Sequence, residues 1–455
     1  MMPYIEAYAD NDIVIKDVAR SMIGNTLMAE LTWPNPEYVK RMEAGRSVWN
    51  VPRNIVLWKR MGEDLIVPFG MLQDLRKVIR ITPDSHLKAL KTVFSGSVDN
   101  LYDYQEKALK SALKARNGVI VAPCGSGKTQ IGLALCAQLG YNTLWLTHTG
   151  ELLKQSMARA KRYLDVPMGT ITAGKIKAVK GITFATVQTM SKIDLSDFKH
   201  FWDVIIVDEC HHCVGTPTRL TMFYKVVSSL SARYKIGLTA TPKRADGMEK
   251  AMYFLLGNKI HEITKAEVKD NTCPLCIMEP KQTGWMPDMD KCLNPDGTLN
   301  YTSLITECVN DEGRNKIISD EIDFAVRQNG STLVLSERVA HLEQLAKMCH
   351  HKNGVLSTSS KRDRQRLLQK MQDGEIDVLF ATFAIAKEGL DIPCLRNLVM
   401  ASPIKDQIAV TQSAGRVMRK CPDKEYGIIW DFEDDMRMLQ KWLEKRMAIY
   451  KKVST

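Results

Sequence analysis

The stretch that decides the fold is GVIVAPCGSGKT, which occupies residues 118–129. It starts as a short apolar run, passes through a turn with two glycines, and leads into residues 129–138, whose apolar positions have helical periodicity. A buried strand, a glycine-rich loop and a helix in this order place the N–H groups of a helix N-terminus around a phosphate. The stretch therefore predicts a phosphate-binding loop between a strand and a helix.

The side chains of this loop suit a nucleoside triphosphate with Mg²⁺. Gly125 and Gly127 allow the backbone to turn its N–H groups inward, and Ser126 lies between them. Lys128 offers a cation to the β- and γ-phosphates, and the hydroxyl of Thr129 is a ligand for Mg²⁺. We therefore expect ATP and Mg²⁺ as cofactors, with these five residues as the first part of the site.

The flanking sequence repeats the alternation of strand and helix and predicts an α/β fold. Short apolar runs separated by helical segments are typical of parallel sheets covered by helices. Such runs fall into two groups, at residues 118–122, 143–147, 182–186, 204–207 and 235–239, and at residues 331–335, 378–381, 397–401 and 427–430. We predict two parallel-sheet domains in tandem, over residues 96–270 and 311–455.

The remaining segments differ in composition. Residues 271–310 contain several prolines and little periodicity, so they are predicted as a linker with a surface excursion. Residues 1–95 combine period-two stretches with turn signals and are predicted as a small, mainly β accessory domain. The tryptophan and basic side chains of this domain suit either a packed core or contact with nucleic acid.

Composition excludes several classes of protein. The 455 residues are 45% apolar and 25% charged, as in ordinary globular chains. No apolar run approaches the ~20 residues that a membrane span needs, and the acidic N-terminus lacks a secretory signal. We expect a cytoplasmic protein that does not bind membranes and has no obligate protein partner. In that compartment the eleven cysteines are expected as free thiols.

The basic charge is concentrated in one part of the chain. Of the net charge of +11, a surplus of ten lies in residues 101–270, which carry 24 basic and 14 acidic side chains. A positive field of this kind favours a polyanionic partner such as nucleic acid. The segment with the phosphate-binding loop is thus also the one expected to attract nucleic acid.

A second strand end supplies carboxylates. The apolar run 204–207 leads directly into Asp208 and Glu209. Beside a phosphate-binding loop, one carboxylate holds Mg²⁺ and its neighbour polarises the attacking water, so we assign Asp208 to the metal and Glu209 to catalysis. The consecutive residues Cys210–Cys213 cannot all converge on one zinc ion, and zinc at Cys273 and Cys276 is not favoured because a second ligand pair at ordinary spacing is missing.

A third motif, QSAGRVMR, lies at residues 412–419. Its spacing predicts Arg416 and Arg419 on one face of a helix, with Gln412 one turn earlier. Arginines that reach a phosphate held by another domain act as arginine fingers, which stabilise charge in the transition state. We predict catalytic roles for all three residues.

In this order the motifs resemble those of the superfamily-2 helicases, over residues 101–440. Residues 122–129, 208–211, 239–241 and 412–419 are similar to motifs I, II, III and VI of that superfamily. The resemblance implies two RecA-like motor domains that bind ATP in the cleft between them. The DECHH sequence at 208–212, ATVQT at 185–189 and Gly-Arg-Asn at 313–315 look most like XPB- and UvsW-related DNA helicases, including compact phage-encoded ones.

The resemblance also implies roles for residues that the patterns alone do not assign. Gln105 would read the adenine, although residues 101–105 are Leu-Tyr-Asp-Tyr-Gln where the family often has Arg-Pro-Tyr-Gln before the same glutamine. Motif V is similar to residues 380–393 and implies Gly389 and Asp391 at the nucleotide. Contacts to the nucleic-acid strand would come from motifs Ia, Ib, IV and V, at Thr149, Thr186, Gln188, Arg338 and Thr382.

The implied activity is that of a nucleic-acid-stimulated ATPase. It would track one DNA strand, unwind or branch-migrate forked and branched duplexes in the 3′-to-5′ direction, and serve DNA replication, recombination or repair. Three alternatives stay open: a double-stranded DNA translocase without strand separation, an RNA helicase, and a clamp switched by ATP binding. Cys210 and His211 in place of Ala-Asp argue against the usual RNA-helicase motif, and Glu209 with the two arginines argues against a clamp.

Overall fold

The structure of the protein is a computed structural model, which describes residues 5–83, 92–123, 125–213, 217–240, 242, 248–268, 273–387, 392, 394–421 and 423–454. The chain divides into two compact units, Met1–Thr264 and Lys265–Thr455. Among the helices of the described residues, none is both long and apolar enough to cross a bilayer.

The N-terminal part of unit 1 is a small β region. Its elements are β1 (Glu6–Ala9), β2 (Asp12–Ile15), α1 (Met22–Glu30), β3 (Thr32–Pro34), α2 (Pro36–Glu43), β4 (Asn54–Val56), β5 (Lys59–Met61), β6 (Asp64–Pro68), α3 (Leu72–Leu75) and β7 (Arg80–Pro83). One sheet has the order β5–β6–β2–β1–β7, and β3 pairs with β4. Buried residues alternate along β1 and β2 because one face of this sheet is packed. The predicted N-terminal β region is confirmed.

A larger sheet forms the rest of unit 1. Its elements are α4 (Asp103–Ala115), β8 (Asn117–Val121), α5 (Lys128–Leu139), β9 (Thr143–Thr147), α6 (Gly150–Tyr163), β10 (Met168–Thr172), β11 (Lys175–Lys177), β12 (Ile182–Thr186), α7 (Val187–Met190), β13 (Val204–Asp208), α8 (Pro217–Ser229), β14 (Tyr234–Thr239), α9 (Glu249–Leu256) and β15 (Lys259–Glu262). The strand order is β11–β10–β12–β9–β13–β14–β8–β15. Neighbours pair in parallel except at β10 and β11, which form an antiparallel hairpin.

The central strands of this sheet are buried along their whole length. Every residue of β8, β9, β12, β13 and β14 is buried, which is the pattern of parallel strands covered on both faces. These are the strands that the apolar runs predict, and their observed ends agree with the prediction to within one residue. The predicted α/β fold is confirmed in unit 1.

Unit 2 contains a second parallel sheet. Its elements are α10 (Lys265–Val268), β16 (Leu275–Ile277), β17 (Lys281–Gln282), α11 (Met289–Cys292), α12 (Tyr301–Asn310), α13 (Glu312–Asn329), β18 (Thr332–Ser336), α14 (Val339–Met348), β19 (Asn353–Val355), α15 (Lys361–Gln372), β20 (Val378–Thr382), α16 (Phe383–Lys387), β21 (Asn397–Met400), α17 (Gln407–Val417), β22 (Gly427–Trp430), β23 (Phe432–Glu433) and α18 (Arg437–Ser454). Its strands follow the order β16–β22–β21–β18–β20–β19, and all of these pairs are parallel.

Residues 273–310 differ from the predicted linker. The short strand β16 extends the second sheet beside β22, and β17 pairs with β23. Helix α12 buries Leu304 and Cys308 in a cluster that includes Trp285 and Trp442. Strands of two or three residues are too short to produce a readable apolar pattern. The described part of this segment is therefore an integral layer of unit 2.

The expectation of free thiols is wrong at one pair of cysteines. Cys394 and Cys421 form a disulfide, with their Cα atoms 5.4 Å apart. Two contacts hold the flanking segments together: Arg396 Nη2 donates to the Asp423 carbonyl at 2.8 Å, and Lys424 Nζ donates to the Leu395 carbonyl at 2.6 Å. The pairing escaped prediction because 26 residues separate the two cysteines and tertiary contacts alone bring them together.

A buried lysine joins the N-terminal β region to the larger sheet. Lys235, on β14, is fully buried, and its Nζ donates to the carbonyls of Asn11 and Val227, each at 3.2 Å. The ammonium also lies 4.4 Å from the centroid of the Phe69 ring. Burial lowers the pKa of Lys235 to about 8, although the nearby Asp12 carboxylate acts in the opposite direction. This one side chain on β14 thus contacts the β1–β2 turn, the Phe69 ring and helix α8.

Replacement of Lys235 by methionine is expected to destabilise unit 1 by about 2–4 kcal/mol. The change preserves length but leaves two carbonyls without a donor and Asp12 without its nearby buried cation. Urea unfolding of the two proteins measures the difference. The matched control is Lys107→Met on the exposed side of α4, for which we expect a change within about 0.5 kcal/mol. Equal unfolding midpoints for Lys235→Met and the parent protein would contradict this role.

Candidate nucleotide and nucleic-acid site

The predicted site residues of unit 1 lie along one edge of its sheet. β12, β9, β13, β14 and β8 are parallel neighbours, so their carboxyl ends meet at the same edge. The phosphate-binding loop follows β8, and Asp208 ends β13. Thr149 follows β9, and Thr186 ends β12. In open α/β sheets this edge is where ligands bind.

The phosphate-binding loop has the backbone that its glycines predict. Gly125 has φ 84° and Gly127 has φ 77°, both in the left-handed region. Gly127 is the N-cap of α5, and Ser126 is fixed by donating its hydroxyl to the Pro123 carbonyl at 2.7 Å. A Cβ atom on Gly127 would come within 2.3 Å of Nε2 of Gln105. Glycine is thus required at position 127 by both backbone conformation and close contact.

Gln105 is buried against this loop. Its Nε2 donates to the Ser126 carbonyl at 2.9 Å, and its Oε1 accepts the Tyr102 N–H at 3.0 Å. The side chain is only 1% exposed. Its amide therefore supports the loop directly, while the implied contact with adenine stays a prediction.

Lys128 and Glu209 form an ion pair at the centre of the site. Lys128 Nζ lies 3.7 Å from Glu209 Oε1 and 3.5 Å from the Ala122 carbonyl. Burial alone would raise the pKa of Glu209, but Lys128 and the neighbouring histidines outweigh it and hold that pKa well below the usual range. Glu209 also has φ 50°, a strained conformation for a residue with a side chain and one that is common at functional sites.

Asp208 has the opposite electrostatic character. Burial and the adjacent Glu209 charge raise the pKa of Asp208 above its usual range. Its Oδ2 accepts the Ser156 hydroxyl at 3.2 Å, and its Oδ1 accepts the Glu209 N–H at 3.0 Å. The two adjacent carboxyl groups are thus held in different protonation ranges, as is common for paired acids with separate roles.

The donor set at this edge fits Mg²⁺. That ion binds one or two protein oxygens and completes its shell with phosphate oxygens and water. Asp208 and the Thr129 hydroxyl would supply those oxygens; Arg159 Nη1 donates to that hydroxyl at 3.4 Å. In the described part of the chain, no group of three or more His, Cys, Asp or Glu side chains is placed so that it could hold a metal ion. Cys210 instead donates its thiol to Met252 Sδ at 3.4 Å.

A row of histidines begins beside Glu209. His211 Nδ1 lies 3.0 Å from Thr239 Oγ1 and 3.3 Å from Glu209 Oε2. The ring centroids of His211 and His212 are 4.2 Å apart, and His212 stacks on His148 at 4.7 Å. His148 Nδ1 then accepts the Nε2 donor of Gln188 at 3.2 Å.

Sequence reasoning missed several of these contacts. From the sequence, His211 and His212 are only part of the DECHH motif or possible zinc ligands. The sequence assigns no role to His148, Ser156 or Arg159. The signal available was the pair of adjacent histidines after a carboxylate at a strand end. The spacing of residues within α6 gave no comparable indication, since its contacts with Asp208 and Thr129 depend on how the helix packs.

In unit 2 the QSAGRVMR segment differs from the predicted helix face. α17 ends at Val417, so Arg419 lies beyond the helix and does not share a face with Arg416. The helix stops where Lys424 Nζ donates to the carbonyls of Val417 and Arg419, at 2.6 and 2.9 Å. Arg416 is 7% exposed and donates to the Ala386 carbonyl of α16, and Gln412 Oε1 is buried without a hydrogen-bond donor among the described residues.

The residues of unit 2 that are predicted to contact nucleic acid also lie at the carboxyl ends of parallel strands. Thr382 ends β20 and pairs in register with Ser336 at the end of the neighbouring β18. Arg338 follows β18, and its Nη2 donates to the Thr302 carbonyl at 3.4 Å. Gly389 and Asp391 lie outside the described residues.

Known proteins match the chain in both sheet regions. Residues 99–244 match the family model described as type III restriction enzyme, res subunit, and residues 313–421 match the helicase conserved C-terminal domain. The DNA 3′-5′ translocase XPB2 of Sulfurisphaera tokodaii is 27% identical over 359 residues, 71% of this chain and 80% of that protein. A putative ATP-dependent RNA helicase of Acanthamoeba polyphaga mimivirus is 27% identical over 345 residues, 72% of this chain and 62% of that protein.

Solved structures have a similar fold, and one of them bears on the proposed function. It is the ATP-dependent type ISP restriction-modification enzyme LlaBIII bound to DNA, with a TM-score of 0.57 and 16% identity, over 83% of this chain and 32% of that chain. The tandem helicase domains expected from the motifs are confirmed. The chain therefore belongs to the superfamily-2 helicases and is an ATP-hydrolysing enzyme of helicase or translocase type. Within that class it is similar to XPB-type proteins and viral helicases.

Gly127→Ala is expected to weaken ATP binding by at least about tenfold, because the left-handed conformation alone costs an L-residue about 1–2 kcal/mol. The clash with Gln105 adds to this cost. Titration with a fluorescent ATP analogue measures the affinity. Gly174→Ala is the control, because that glycine also has φ 78° but has open space around it and lies in the β10–β11 turn. Loss of affinity in Gly174→Ala equal to that in Gly127→Ala would contradict the explanation.

Proposed function

We propose that the protein is a DNA-stimulated ATPase that moves 3′-to-5′ along one strand and unwinds or branch-migrates forked and branched DNA. The observation that carries the proposal is the shared carboxyl edge of the unit 1 sheet. Residues for the triphosphate follow β8 and β13, and residues for a nucleic-acid strand follow β9 and β12, which are the next strands along the same edge. One rigid sheet thus supports both ligands.

For ATP hydrolysis, the proposal assigns Glu209 to the attacking water and Lys128 to the triphosphate. Their ion pair, 3.7 Å long, keeps the carboxylate ionised before the substrate binds. When Lys128 turns to the phosphates, Glu209 loses its nearest cation and its affinity for a proton rises, so it becomes a better acceptor for the proton of the attacking water. Mg²⁺ on Asp208 and Thr129 would neutralise phosphate charge.

Unit 2 would supply the second part of the catalytic set. Buried polar atoms are nearly always hydrogen-bonded, and Gln412 Oε1 is buried without a donor among the described residues, as expected of an atom reserved for a ligand. Arg416 and Arg419 flank the end of the same helix and supply positive charge for the transition state. Turnover is therefore expected to depend on both units.

Nucleic acid would bind through its phosphates. Thr149 and Thr186 carry hydroxyls at the ends of β9 and β12, and the β10–β11 hairpin continues the edge past β12. Lys175 and Lys177 of this hairpin, and Lys180 just after it, are exposed. Contacts to phosphate make binding sensitive to salt and largely independent of sequence. In unit 2, Thr382 and Arg338 are assigned to the same strand.

The first test is ATP hydrolysis with and without nucleic acid. We expect single-stranded DNA to stimulate turnover, and Glu209→Gln to lower kcat by roughly 10²–10⁴-fold while ATP binding is kept, because the amide cannot accept the proton. Coupled-enzyme detection of ADP and a binding titration measure the two quantities. The same assay with RNA and with blunt duplex DNA separates the alternatives.

Each alternative gives a different pattern. Stimulation by RNA alone would identify an RNA helicase, and stimulation by duplex DNA without strand separation would identify a double-stranded DNA translocase. Turnover that no nucleic acid changes would refute the proposal. Unwinding of forked, four-way and tailed DNA of both polarities, scored on gels, then measures direction and substrate preference. Equal rates on tailed and branched substrates would refute the branched-DNA part.

A further inference from the structure

One side of helix α6 contacts both residues that are assigned to Mg²⁺. Ser156 donates its hydroxyl to Asp208 Oδ2 at 3.2 Å, and Arg159 Nη1 donates to Thr129 Oγ1 at 3.4 Å. Residues at this spacing in a helix are neighbours on its surface. Asp208 and Thr129 belong to different elements, since the first ends β13 and the second lies in the first turn of α5. Helix α6 is thus a common support for the two assigned metal ligands.

The place of α6 is set by the core of unit 1. The Thr149 hydroxyl caps the first turn by accepting a backbone N–H at 3.3 Å. Leu153 and Ala160 are buried where the helix packs on β9, β12 and α5. The side chains of Ser156 and Arg159 therefore reach the site from a helix that is anchored by its own packing.

The Ser156 hydroxyl orients the Asp208 carboxylate and leaves room for a metal ion. Ser156 is only 3% exposed, and its hydroxyl bonds to Asp208, whereas a helical serine commonly bonds to a carbonyl of its own helix. A carboxylate has about four lone-pair positions, and the Ser156 hydroxyl and the Glu209 N–H use one on each oxygen. Both oxygens keep a position for a metal ion, and the two donors set their direction.

The Arg159 guanidinium brings a positive charge to the hydroxyl that Mg²⁺ would use. A cation beside Thr129 repels a second cation there unless an anion lies between them. A bound triphosphate would supply that anion. Because a guanidinium has several N–H donors, Arg159 can donate to a phosphate oxygen and to Thr129 together. Its charge therefore favours the metal with the nucleotide and disfavours the metal alone.

We propose that Ser156 and Arg159 are positioning residues of the Mg²⁺–ATP site. Ser156 sets the direction of the Asp208 carboxylate. Arg159 holds the Thr129 hydroxyl and makes metal binding there depend on the triphosphate. The inference rests on the proposed function, because that proposal assigns Asp208 and Thr129 to Mg²⁺.

The test of Ser156 is the affinity for Mn²⁺, which takes the same oxygen ligands as Mg²⁺ and is followed by electron paramagnetic resonance. With a non-hydrolysable ATP analogue bound, Ser156→Ala should weaken Mn²⁺ binding roughly 10–100-fold, the usual effect of losing a partner of a metal ligand. Binding of the analogue in EDTA should stay within about twofold, because no metal takes part.

Ser228→Ala is the matched control for this variant. Ser228 is another buried helical serine of unit 1, but its hydroxyl donates to the Tyr224 carbonyl of its own helix at 2.5 Å. We expect its Mn²⁺ affinity to equal that of the parent protein. In a double-mutant cycle, Ser156→Ala combined with Asp208→Asn should bind Mn²⁺ no more weakly than Asp208→Asn alone.

Replacement of Arg159 should have opposite effects with and without nucleotide. Arg159→Met should bind Mn²⁺ alone at least about threefold more tightly than the parent protein, because the opposing charge is gone. It should bind the Mg²⁺ complex of the analogue roughly tenfold more weakly, because a phosphate donor is lost. Arg159→Lys keeps the charge but lacks the planar fork, so it should show only the second effect. Arg162→Met is the control for charge, because Arg162 is exposed on the same helix, and it should show neither effect.

Asp208→Asn separates a failure of the inference from a failure of the proposed function. Unchanged Mn²⁺ affinity in Asp208→Asn would refute the metal assignment itself. A loss in Asp208→Asn without a loss in Ser156→Ala would overturn the role of Ser156, and equal losses in Ser156→Ala and Ser228→Ala would reduce Ser156 to packing. Weaker Mn²⁺ binding by Arg159→Met in the absence of nucleotide would overturn the role of Arg159.

Discussion

The constraint on which the structure depends is the parallel alignment of fully buried strands. Parallel strands with both faces covered leave no water-facing side chains along their length, so polar groups collect where the strands end. In unit 1 five neighbouring strands end at the same edge, and predicted functional residues lie at or directly after the ends of four of them, β8, β9, β12 and β13. The same apolar sequence that makes the core therefore brings residues from distant parts of the chain together.

Electrostatics at that edge follow from the same burial. Asp208 and Glu209 are adjacent in sequence, yet the pKa of the first is raised and that of the second is lowered. The difference arises because Glu209 lies 3.7 Å from Lys128 and beside His211, whereas at Asp208 burial and the Glu209 charge outweigh Lys128, the Ser156 hydroxyl and a backbone N–H. A left-handed backbone at Glu209 directs the two side chains to these different surroundings. The local surroundings of these two adjacent carboxyl groups are thus enough to shift their pKa values in opposite directions.

The sequence predicted those features that depend on local pattern. Strands such as Ile182–Thr186 were predicted because every residue in them is apolar or small and is buried. The phosphate-binding loop was predicted because its glycines allow the backbone to turn its N–H groups toward a phosphate. Features that depend on tertiary packing were not predicted. The strand Leu275–Ile277 joins the sheet by pairing with Gly427–Trp430. Helix α17 ends at Val417, where Lys424 donates to the Val417 carbonyl. The stacking of His148 on His212 likewise joins segments more than 60 residues apart.

The N-terminal β region occupies the opposite edge of the unit 1 sheet. Lys235 stands at the start of β14, and Gln73 Nε2 donates to the carbonyl of Asn117 at the start of β8, at 3.0 Å. Asn258, just before β15, donates to Asp74 at 2.6 Å. All three contacts are at amino ends of strands, so about five residues of strand, roughly 16 Å, separate them from the nucleotide edge. The region is thus fixed to the first sheet yet remote from the phosphates. These three contacts therefore place the N-terminal β region at the edge of the sheet that is opposite to Lys128 and Glu209.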